Sequence, residues 1–469
     1  MQTNQPGYGD LPATTDELGF TPAAVALAAI VQGTERADTP LTVGVYGAWG
    51  SGKTSLMGMI HARLDPSRCT PVWFAAWRYA QQETLWRALL LSVVEALRGV
   101  VEDSPSLAEA REGLLARLDD VAASLYRSVD REEPGAIEFQ WGKAGTLAAG
   151  AVIRAGFSAI PILGQITKAV EKAGEALGEE AYADKVLDLF QRERTRIYRE
   201  QVQSLEQFHQ GLRELVRELV TDFDRRLVVF IDDLDRCLPE QAIGVLEAVK
   251  VFLDIEGCVF VLGVDREIIE RGIRVRYKEF ALNGVATGPF PVAERDYLEK
   301  IVQVPFTLPP LAPDAIHTFL GSRLPSIEGL TDAEQTQVAQ LMTVGILRNP
   351  RKVKRSFNIF RLHLTLDRAH GRTTPAGLIA KLTVIQSSFA DLYERIARDP
   401  ILLRSVEQIV RGTPGANSVS QELREEVGKS DQRLKELLYL APFFADLSDD
   451  ALRELVYQSR VTGAPEQTP

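Results

Sequence analysis

The sequence has few of the residues that build disulfide frameworks or zinc sites. Its three cysteines, Cys69, Cys237 and Cys258, stand far apart and form no CxxC pair. This distribution excludes a disulfide framework, argues against a zinc site and is typical of a protein in a reducing compartment. The five histidines stand at no metal-ligand spacing, so we expect them in the core or on the surface.

The sequence also has no excess of positive charge, and its first residues carry no pattern that would lead us to expect a targeting signal. Residues 1–15 contain neither a basic stretch nor an apolar stretch, so we expect no signal peptide and a cytoplasmic location. The chain has 53 Lys and Arg against 64 Asp and Glu, a formal net charge of −11. That balance excludes a protein whose whole surface binds polyanions, and any nucleic-acid contact would need a local basic patch.

The apolar pattern indicates a parallel α/β sheet. Five short β-prone runs alternate with helical periods over the first two thirds of the chain, an order typical of parallel sheets. After about Pro309 the chain is helical in pattern, with a linker-like break at Gly412–Ser418. The predicted strands are Leu41–Tyr46, Pro71–Trp77, Leu227–Ile231, Cys258–Val264 and Val302–Leu308.

A glycine-rich loop follows the first predicted strand. Gly47–Thr54 reads GAWGSGKT, which fits GxxxxGK[ST], and it precedes a predicted helix at Ser55–Leu64. Glycines let the backbone N–H groups turn inward, and the helix N-terminus adds positive potential for phosphates. We predict that Lys53 reaches the β- and γ-phosphates and that the Thr54 hydroxyl binds Mg²⁺. The candidate nucleotide-binding residues are Gly47, Ala48, Trp49, Gly50, Ser51, Gly52, Lys53, Thr54 and Ser55.

An acidic pair ends the third predicted strand. The apolar run Leu227–Ile231 leads directly into Asp232 and Asp233. An acid at the carboxyl end of a buried strand can enter the Mg²⁺ shell, which is the role predicted for Asp232, and Asp233 is the candidate base for the attacking water. The chain has no NKxD guanine motif, so we predict that ATP is the nucleotide and that the protein is an Mg²⁺-dependent ATPase.

Further motifs resemble the KAP family of P-loop NTPases, which are bacterial proteins with an ASCE-type core. The string IDDLDRC at Ile231–Cys237, followed by Pro239 and Glu240, carries the resemblance most directly. Together the motifs span about residues 16–365. The other matching segments are Asp16–Ile30, Pro40–Leu56, Phe74–Tyr79 with Leu85 and Trp86, Val261–Arg266, Tyr297–Phe306 and Asn349–Arg355.

The resemblance implies a strand order and several site residues. The strand ending at Val264 should lie between the strand before Gly47 and the strand before Asp232. Asp265 is implied as a sensor near the γ-phosphate, although it could instead cap the following helix. Arg351 of an implied helical lid should reach the nucleotide, or else be one of several solvated charges. Three aromatic residues, which either pack in the core or stack on the base, are Trp77, Tyr79 and Trp86.

We therefore predict an α/β fold: a parallel-sheet P-loop NTPase core with a helical insertion, followed by an all-helical lid and a C-terminal helical region. The predicted parts are an N-terminal arm and leading helix (1–40), the core (41–308, with the insertion at about 100–205), the lid (309–372) and the C-terminal region (373–469).

Two segments leave alternatives open. Ala144–Gly164 holds 21 residues with a single charge, Arg154, which is just long enough to span a membrane. Its many Ala and Gly residues and its central Arg favour packed helices instead, with a membrane span or interfacial membrane contact as alternatives. Residues 348–372 hold eight Lys or Arg and one acid, a basic patch that is either a solvated lid face or a nucleic-acid surface.

Arginines beyond the loop predict an assembly. Hydrolysis of this kind needs a further positive charge on the γ-phosphate. Arg236 lies too close to Asp233 in sequence to curl back easily onto its own site, and Arg271, Arg274 and Arg276 follow the fourth strand. We predict that a finger arginine acts in trans, within a nucleotide-dependent homo-oligomer. The alternative is that these arginines form local ion pairs and that Arg351 completes the site in cis.

The sequence thus predicts ATP and Mg²⁺ as cofactors, and ATP hydrolysis that drives a conformational switch. By resemblance, the switch serves anti-phage defence or signalling, with a separate effector protein as partner. The alternatives are a nucleic-acid-stimulated remodelling ATPase and a membrane-associated nucleotide-binding scaffold that contacts the membrane through residues 144–164.

Overall fold

A five-stranded parallel sheet organises the first two thirds of the chain. The computed structural model describes residues 9, 12–13, 15–81, 85–127, 206–252, 254–281, 294–413 and 419–462. The strand order is β2-β3-β4-β1-β5, with all pairs parallel. β4 therefore lies between β1 and β3, and the predicted strand order is confirmed. The strands are β1 (Leu41–Tyr46), β2 (Cys69–Ala75), β3 (Arg226–Asp232), β4 (Cys258–Val264) and β5 (Val304–Thr307).

Burial explains why the central strands read as unbroken apolar runs. Every residue of β3 and β4 is buried, because helices cover both faces of the sheet. β2 alternates between buried and exposed residues at the sheet edge and ends at Ala75, two residues before the predicted end. The chain then forms a 3₁₀ turn, Ala76–Tyr79, which leaves Trp77 52% exposed. The prediction of a strand through Trp77 is therefore wrong at its last two positions.

Helices on the two faces of the sheet form two apolar cores. One core contains the leading helix and the helix after the glycine-rich loop, together with the helices that follow β5. The other contains the helices that precede and follow β3. In the first two thirds of the chain the helices are Thr21–Gly33, Lys53–His61, Leu85–Asp103, Arg111–Arg127, 206–219, Pro239–Phe252, Arg266–Ala281 and Glu294–Ile301.

The leading helix, Thr21–Gly33, is capped by a residue of the arm that precedes it. Thr21 is the first helical residue, and the Phe20 side chain at the N-cap position makes no capping hydrogen bond. The Asp16 carboxylate accepts from the N–H of Thr21 at 2.6 Å and of Gly19 at 2.8 Å. Burial opposes ionisation of Asp16, but these hydrogen bonds prevail and lower its pKa to about 2. The arm before the helix thus folds back as the cap.

The helices after β5 pack on the sheet and on one another. They share one apolar core with β1 and the helix after the loop, so the predicted division at residue 372 coincides with no gap in the core. The helix Pro350–Ala369, which we call the lid helix, packs against Ala376–Ser388 across that division. The helices of this part are Pro313–Arg323, Asp332–Gly345, Pro350–Ala369, Ala376–Ser388, Ala390–Arg398, Leu402–Arg411, Gln421–Gly428, Gln432–Tyr439 and Asp449–Ser459.

The segment Ala144–Gly164, including Arg154, lies outside the described residues. Among the helices that are described, none combines the length and the apolar character needed to cross a membrane.

Candidate nucleotide-binding site

The loop after β1 has the backbone of a phosphate cradle. Gly50 and Gly52 have φ values of +80° and +102°, which side-chain-bearing residues rarely adopt. A Cβ on Gly52 would lie 2.7 Å from the Phe20 ring, so the close approach of the arm also requires glycine here. The helix begins at Lys53, and its first turn is closed by the bond from Leu56 N–H to the Gly52 carbonyl, 2.9 Å. The predicted loop-to-helix transition is confirmed, two residues earlier than expected.

Lys53 is enclosed rather than solvated. Its side chain is 7% exposed, and its Nζ donates to the carbonyls of Gly47 at 2.9 Å and Ala48 at 3.3 Å. Its ion-pair partner is Asp235, with Oδ2 at 2.8 Å and a side chain only 3% exposed. Sequence reasoning assigned no role to Asp235. The signal was present, since Asp235 is the third acid of the IDDLDRC string.

The two predicted metal-binding residues are in direct contact. The Thr54 hydroxyl donates to Asp232 Oδ1 at 3.2 Å, and the backbone N–H of Asp233 donates to the same oxygen at 2.9 Å. Asp232 is 2% exposed, and burial together with the neighbouring Asp233 charge raises its pKa to about 6. A hydroxyl and a carboxylate are hard oxygen donors that suit Mg²⁺, which takes its remaining ligands from phosphate and water. The chemistry of this pair therefore fits the metal that the motifs imply.

Asp233 has a left-handed backbone conformation and pairs with Arg236. It has a φ of +59°, unusual for a non-glycine residue, and it starts the 3₁₀ turn Leu234–Arg236. Burial raises the pKa of Asp233, while Arg236 opposes the shift. The Arg236 Nε lies 2.9 Å from Asp233 Oδ1. Our expectation that Arg236 could not easily reach its own site is therefore wrong, because the left-handed residue turns the chain back. A finger role for Arg236 stays a prediction.

Asp265 lies at the end of β4 and caps the next helix. Its Oδ1 accepts from the Glu267 N–H at 3.1 Å, which is the capping alternative considered from the sequence. β4 also contacts the loop, because the Gly47 N–H donates to the Val264 carbonyl at 3.3 Å. Asp265 thus stands one residue beyond a direct contact with the phosphate loop. Its sensor role stays a prediction.

The lid helix begins on the phosphate loop. The Arg351 N–H donates to the Gly50 carbonyl at 3.3 Å, and Asn349 Nδ2 donates to the Trp49 carbonyl at 3.0 Å. Asn349 also caps the lid helix, because its Oδ1 accepts from the N–H groups of Arg351 and Lys352. The Arg351 guanidinium lies over the Trp49 ring, 4.6 Å from its centroid. The structure therefore brings Arg351 to the loop, and Asn349 is a second lid residue that sequence reasoning missed.

The remaining predicted residues divide between core and surface. Ser55 Oγ accepts from the N–H of Ala13, which ties the N-terminal arm to the start of the loop helix. Tyr79 stacks on Phe74 with ring centroids 5.3 Å apart, and Trp86 packs against the second core. Trp77 is exposed, so core packing does not account for it.

The other candidate arginines follow β4. Arg271 and Arg274 are exposed on the helix Arg266–Ala281, and the side chain of Arg276 lies outside the described residues. The basic patch is carried mainly by the lid helix, where Lys352, Arg355 and Arg368 are exposed. At the end of the patch Arg372 pairs with Glu454 at 3.3 Å.

The chain was compared with protein families and with known proteins, and the family match agrees with this geometry. The model of the KAP family P-loop domain matches residues 20–366. An uncharacterized protein of Methanocaldococcus jannaschii is 24% identical over 200 residues, which cover 42% of this chain and 90% of that protein. The solved structure of the Aeropyrum pernix ORC2 protein, in ADPNP–ADP complexes, aligns over 94% of this chain and 93% of its own at 13% identity. Its TM-score of 0.33 is too low to carry an inference.

Proposed function

The chain belongs to the KAP family of P-loop NTPases, and from that premise we propose that it binds and hydrolyses ATP with Mg²⁺ and uses the reaction to move its helical lid. The observation that carries the proposal is the contact between the lid helix and the phosphate loop through Asn349 and Arg351. A ligand that reshapes the loop necessarily acts on the lid, because the two share hydrogen bonds.

Phosphate binding is assigned to the loop and Lys53. The glycines turn the loop N–H groups towards the ligand, and the N-terminus of the helix Lys53–His61 adds positive potential. Thr54 and Asp232, already in contact through one oxygen, would hold the metal. When bound, Mg²⁺ neutralises the charge that develops on the transferred phosphoryl group. The ionised form of Asp232 is the one that would hold the metal, and without metal the pKa of this carboxyl is raised to about 6.

Asp233 is assigned as the base that orients and deprotonates the attacking water. Burial raises the pKa of Asp233, which makes its carboxylate a better proton acceptor than a solvated aspartate. In this structure Arg236 pairs with that carboxylate and holds it beside Asp232. For Asp233 to act, Arg236 must shift, and in doing so it becomes available to the γ-phosphate or to a neighbouring copy. Arg271 and Arg274 remain candidates for a finger supplied in trans.

The lid is assigned as the moving part. Arg351 is anchored to Trp49 by its guanidinium and to Gly50 by its N–H, so a change in loop conformation displaces the first turn of the lid helix. Since the lid helix shares a core with the helices after residue 372, its movement would reach that region as well. By family resemblance we place the switch in anti-phage defence or signalling, acting on a separate effector in the cytoplasm.

Turnover measurements on three proteins test the assignment. Wild-type protein should hydrolyse ATP with Mg²⁺ and stop when the metal is chelated. Lys53→Ala should lose ATP binding, and Asp233→Asn should bind ATP but not turn it over. Wild-type turnover in Asp233→Asn would refute the role of that residue as base, and ATP binding by Lys53→Ala at wild-type affinity would refute the site. Stimulation by DNA, RNA or lipid vesicles would favour the remodelling or scaffold alternatives.

A further inference from the structure

Asp235 is the ion-pair partner of Lys53 in this structure, and the proposed chemistry assigns it no role. The Lys53 ammonium has three N–H donors, and three oxygens surround it: the Gly47 carbonyl, the Ala48 carbonyl and Asp235 Oδ2. The two carbonyls accept hydrogen bonds from Nζ, whereas Asp235 Oδ2 forms an ion pair with it. Because Lys53 and Asp235 are both enclosed, a phosphate group that binds Lys53 competes with the Asp235 carboxylate for the ammonium charge.

We propose that Asp235 and the nucleotide phosphates compete for Lys53, so that Asp235 lowers nucleotide affinity and reports phosphate occupancy to the turn Leu234–Arg236. The inference rests on the proposed function of the same site. Of the three oxygens around Lys53, the phosphate can displace that of Asp235, because the two carbonyls belong to the loop that cradles the phosphates. Lys53 is the cation that pairs with Asp235 among the described residues. A buried carboxylate that loses its paired cation is destabilised, so Asp235 moves when phosphate takes Lys53.

The position of Asp235 connects this exchange to the hydrolytic residues. The turn Leu234–Arg236 contains both Asp235, which pairs with Lys53, and Arg236, which pairs with Asp233. The turn is closed by two bonds, from the Arg236 N–H to the Asp233 carbonyl and from the Cys237 N–H to the Leu234 carbonyl, each 3.2 Å. When Asp235 leaves Lys53, the turn loses the ion pair that holds it in the site. Phosphate binding would thereby loosen the segment that holds Arg236 on Asp233.

The test uses Asp235→Asn with pyrophosphate and ATP as probes, because the competition concerns phosphate and not the base. Asp235→Asn should bind pyrophosphate about tenfold more tightly than wild type by calorimetry, which corresponds to about 1.4 kcal/mol. The same variant should have a lower Tm without ligand, because it leaves the Lys53 charge buried beside an amide. Its ligand-induced rise in Tm should be larger than in wild type. A purely structural pair would lower both stability and affinity.

The matched control is Asp233→Asn, which removes the same charge from the same turn but contacts Arg236 and not Lys53. If loss of negative charge near the phosphates were the whole cause, both variants would gain affinity equally, and the proposal would fail. Affinity in Asp235→Asn equal to or weaker than wild type would also overturn it. Should ATP turnover be absent while Asp235→Asn binds pyrophosphate more tightly, the hydrolysis assignment fails and this inference stands.

Wild-type protein provides a second readout that needs no folded variant. Pyrophosphate should slow hydrogen exchange of the amides of residues 50–54 and accelerate exchange at Arg236 and Cys237, whose bonds close the turn. Slower or unchanged exchange at Arg236 and Cys237, with the loop amides protected, would show that Asp235 keeps Lys53 and would overturn the proposal.

Discussion

Asn349→Ala perturbs the contact between lid and loop at a single side chain. Asn349 makes two kinds of interaction: its Oδ1 caps the lid helix, and its Nδ2 donates to the Trp49 carbonyl at 3.0 Å. Loss of an N-cap costs about 1 kcal/mol. Loss of the second hydrogen bond costs about 1 kcal/mol more. The second contribution acts only on lid docking, and about 1 kcal/mol corresponds to roughly a fivefold change in that equilibrium.

Thr331→Ala is the matched control for the cap. Thr331 caps the helix Asp332–Gly345 in a reciprocal capping box with Glu334, and the hydrogen bonds of its side chain are made with Glu334. Both substitutions remove a cap from a helix in the same part of the chain, so both should lower the Tm by similar amounts. Only Asn349→Ala should change ATP affinity or turnover, by roughly fivefold.

The assay is ATP binding by calorimetry and turnover at saturating ATP, for wild type and both variants. The reasoning would be refuted if Asn349→Ala and Thr331→Ala lowered stability alike and left ATP affinity and turnover at wild-type values. It would also be refuted if Thr331→Ala changed nucleotide affinity as much as Asn349→Ala did, because the effect would then come from helix stability and not from the loop contact.

Three further outcomes are expected. The pKa of Asp232 is raised from 3.8 to about 6. Without metal, its contribution to stability is therefore complete below about pH 4 and is lost as the pH rises through about 6. Denaturant titrations should show this loss of unfolding free energy in wild type and not in Asp232→Asn. Lys381 and Glu407 form a fully buried ion pair at 3.2 Å, so Glu407→Gln should destabilise the helical region by about 3–5 kcal/mol, and the double variant Lys381→Met with Glu407→Leu should recover most of that loss in thermal unfolding. Neutralising Arg355, Arg361 and Arg368 together should leave ATP turnover near wild type, and any DNA or RNA binding should be salt-dependent and abolished, as filter binding would measure; binding that survives would place that surface elsewhere.

The sheet and the phosphate motifs were predictable because each depends on a short stretch of sequence. β3 and β4 are apolar throughout because both faces are covered, and Gly50 and Gly52 are required where the loop has positive φ. The strand order followed from the resemblance and not from local pattern. Thr54 and Asp232 are 178 residues apart, and only the shared carboxyl edge of the parallel sheet brings them together.

What sequence reasoning missed depends on geometry that no local pattern specifies. Asp233 adopts a left-handed conformation, which turns Arg236 back onto Asp233 and accompanies the contact of Asp235 with Lys53. The sequence around Asp233 does not predict that left-handed conformation. Asn349 stood within a recognised motif, but its contact with Trp49 spans 300 residues.

The buried pair of the helical region and the cap of the leading helix were missed for related reasons. Lys381 and Glu407 lie on different helices, and each alone reads as a surface charge. Asp16 caps Thr21 from five residues upstream, beyond the spacing of an ordinary N-cap. Both contacts depend on how separate segments pack together, which hydrophobic periodicity does not predict.

The central claim is that ATP in the phosphate loop moves the lid, and a distance between core and lid measures it directly. The chain has three cysteines, all of them buried, so spin labels can be attached at introduced cysteines. Suitable exposed positions are Asp222 before β3 and Leu362 on the lid helix. With Asp233→Asn holding ATP unhydrolysed, the distance distribution should shift on ATP addition, and Lys53→Ala should show no shift. An unchanged distribution in a protein that demonstrably binds ATP would contradict the account.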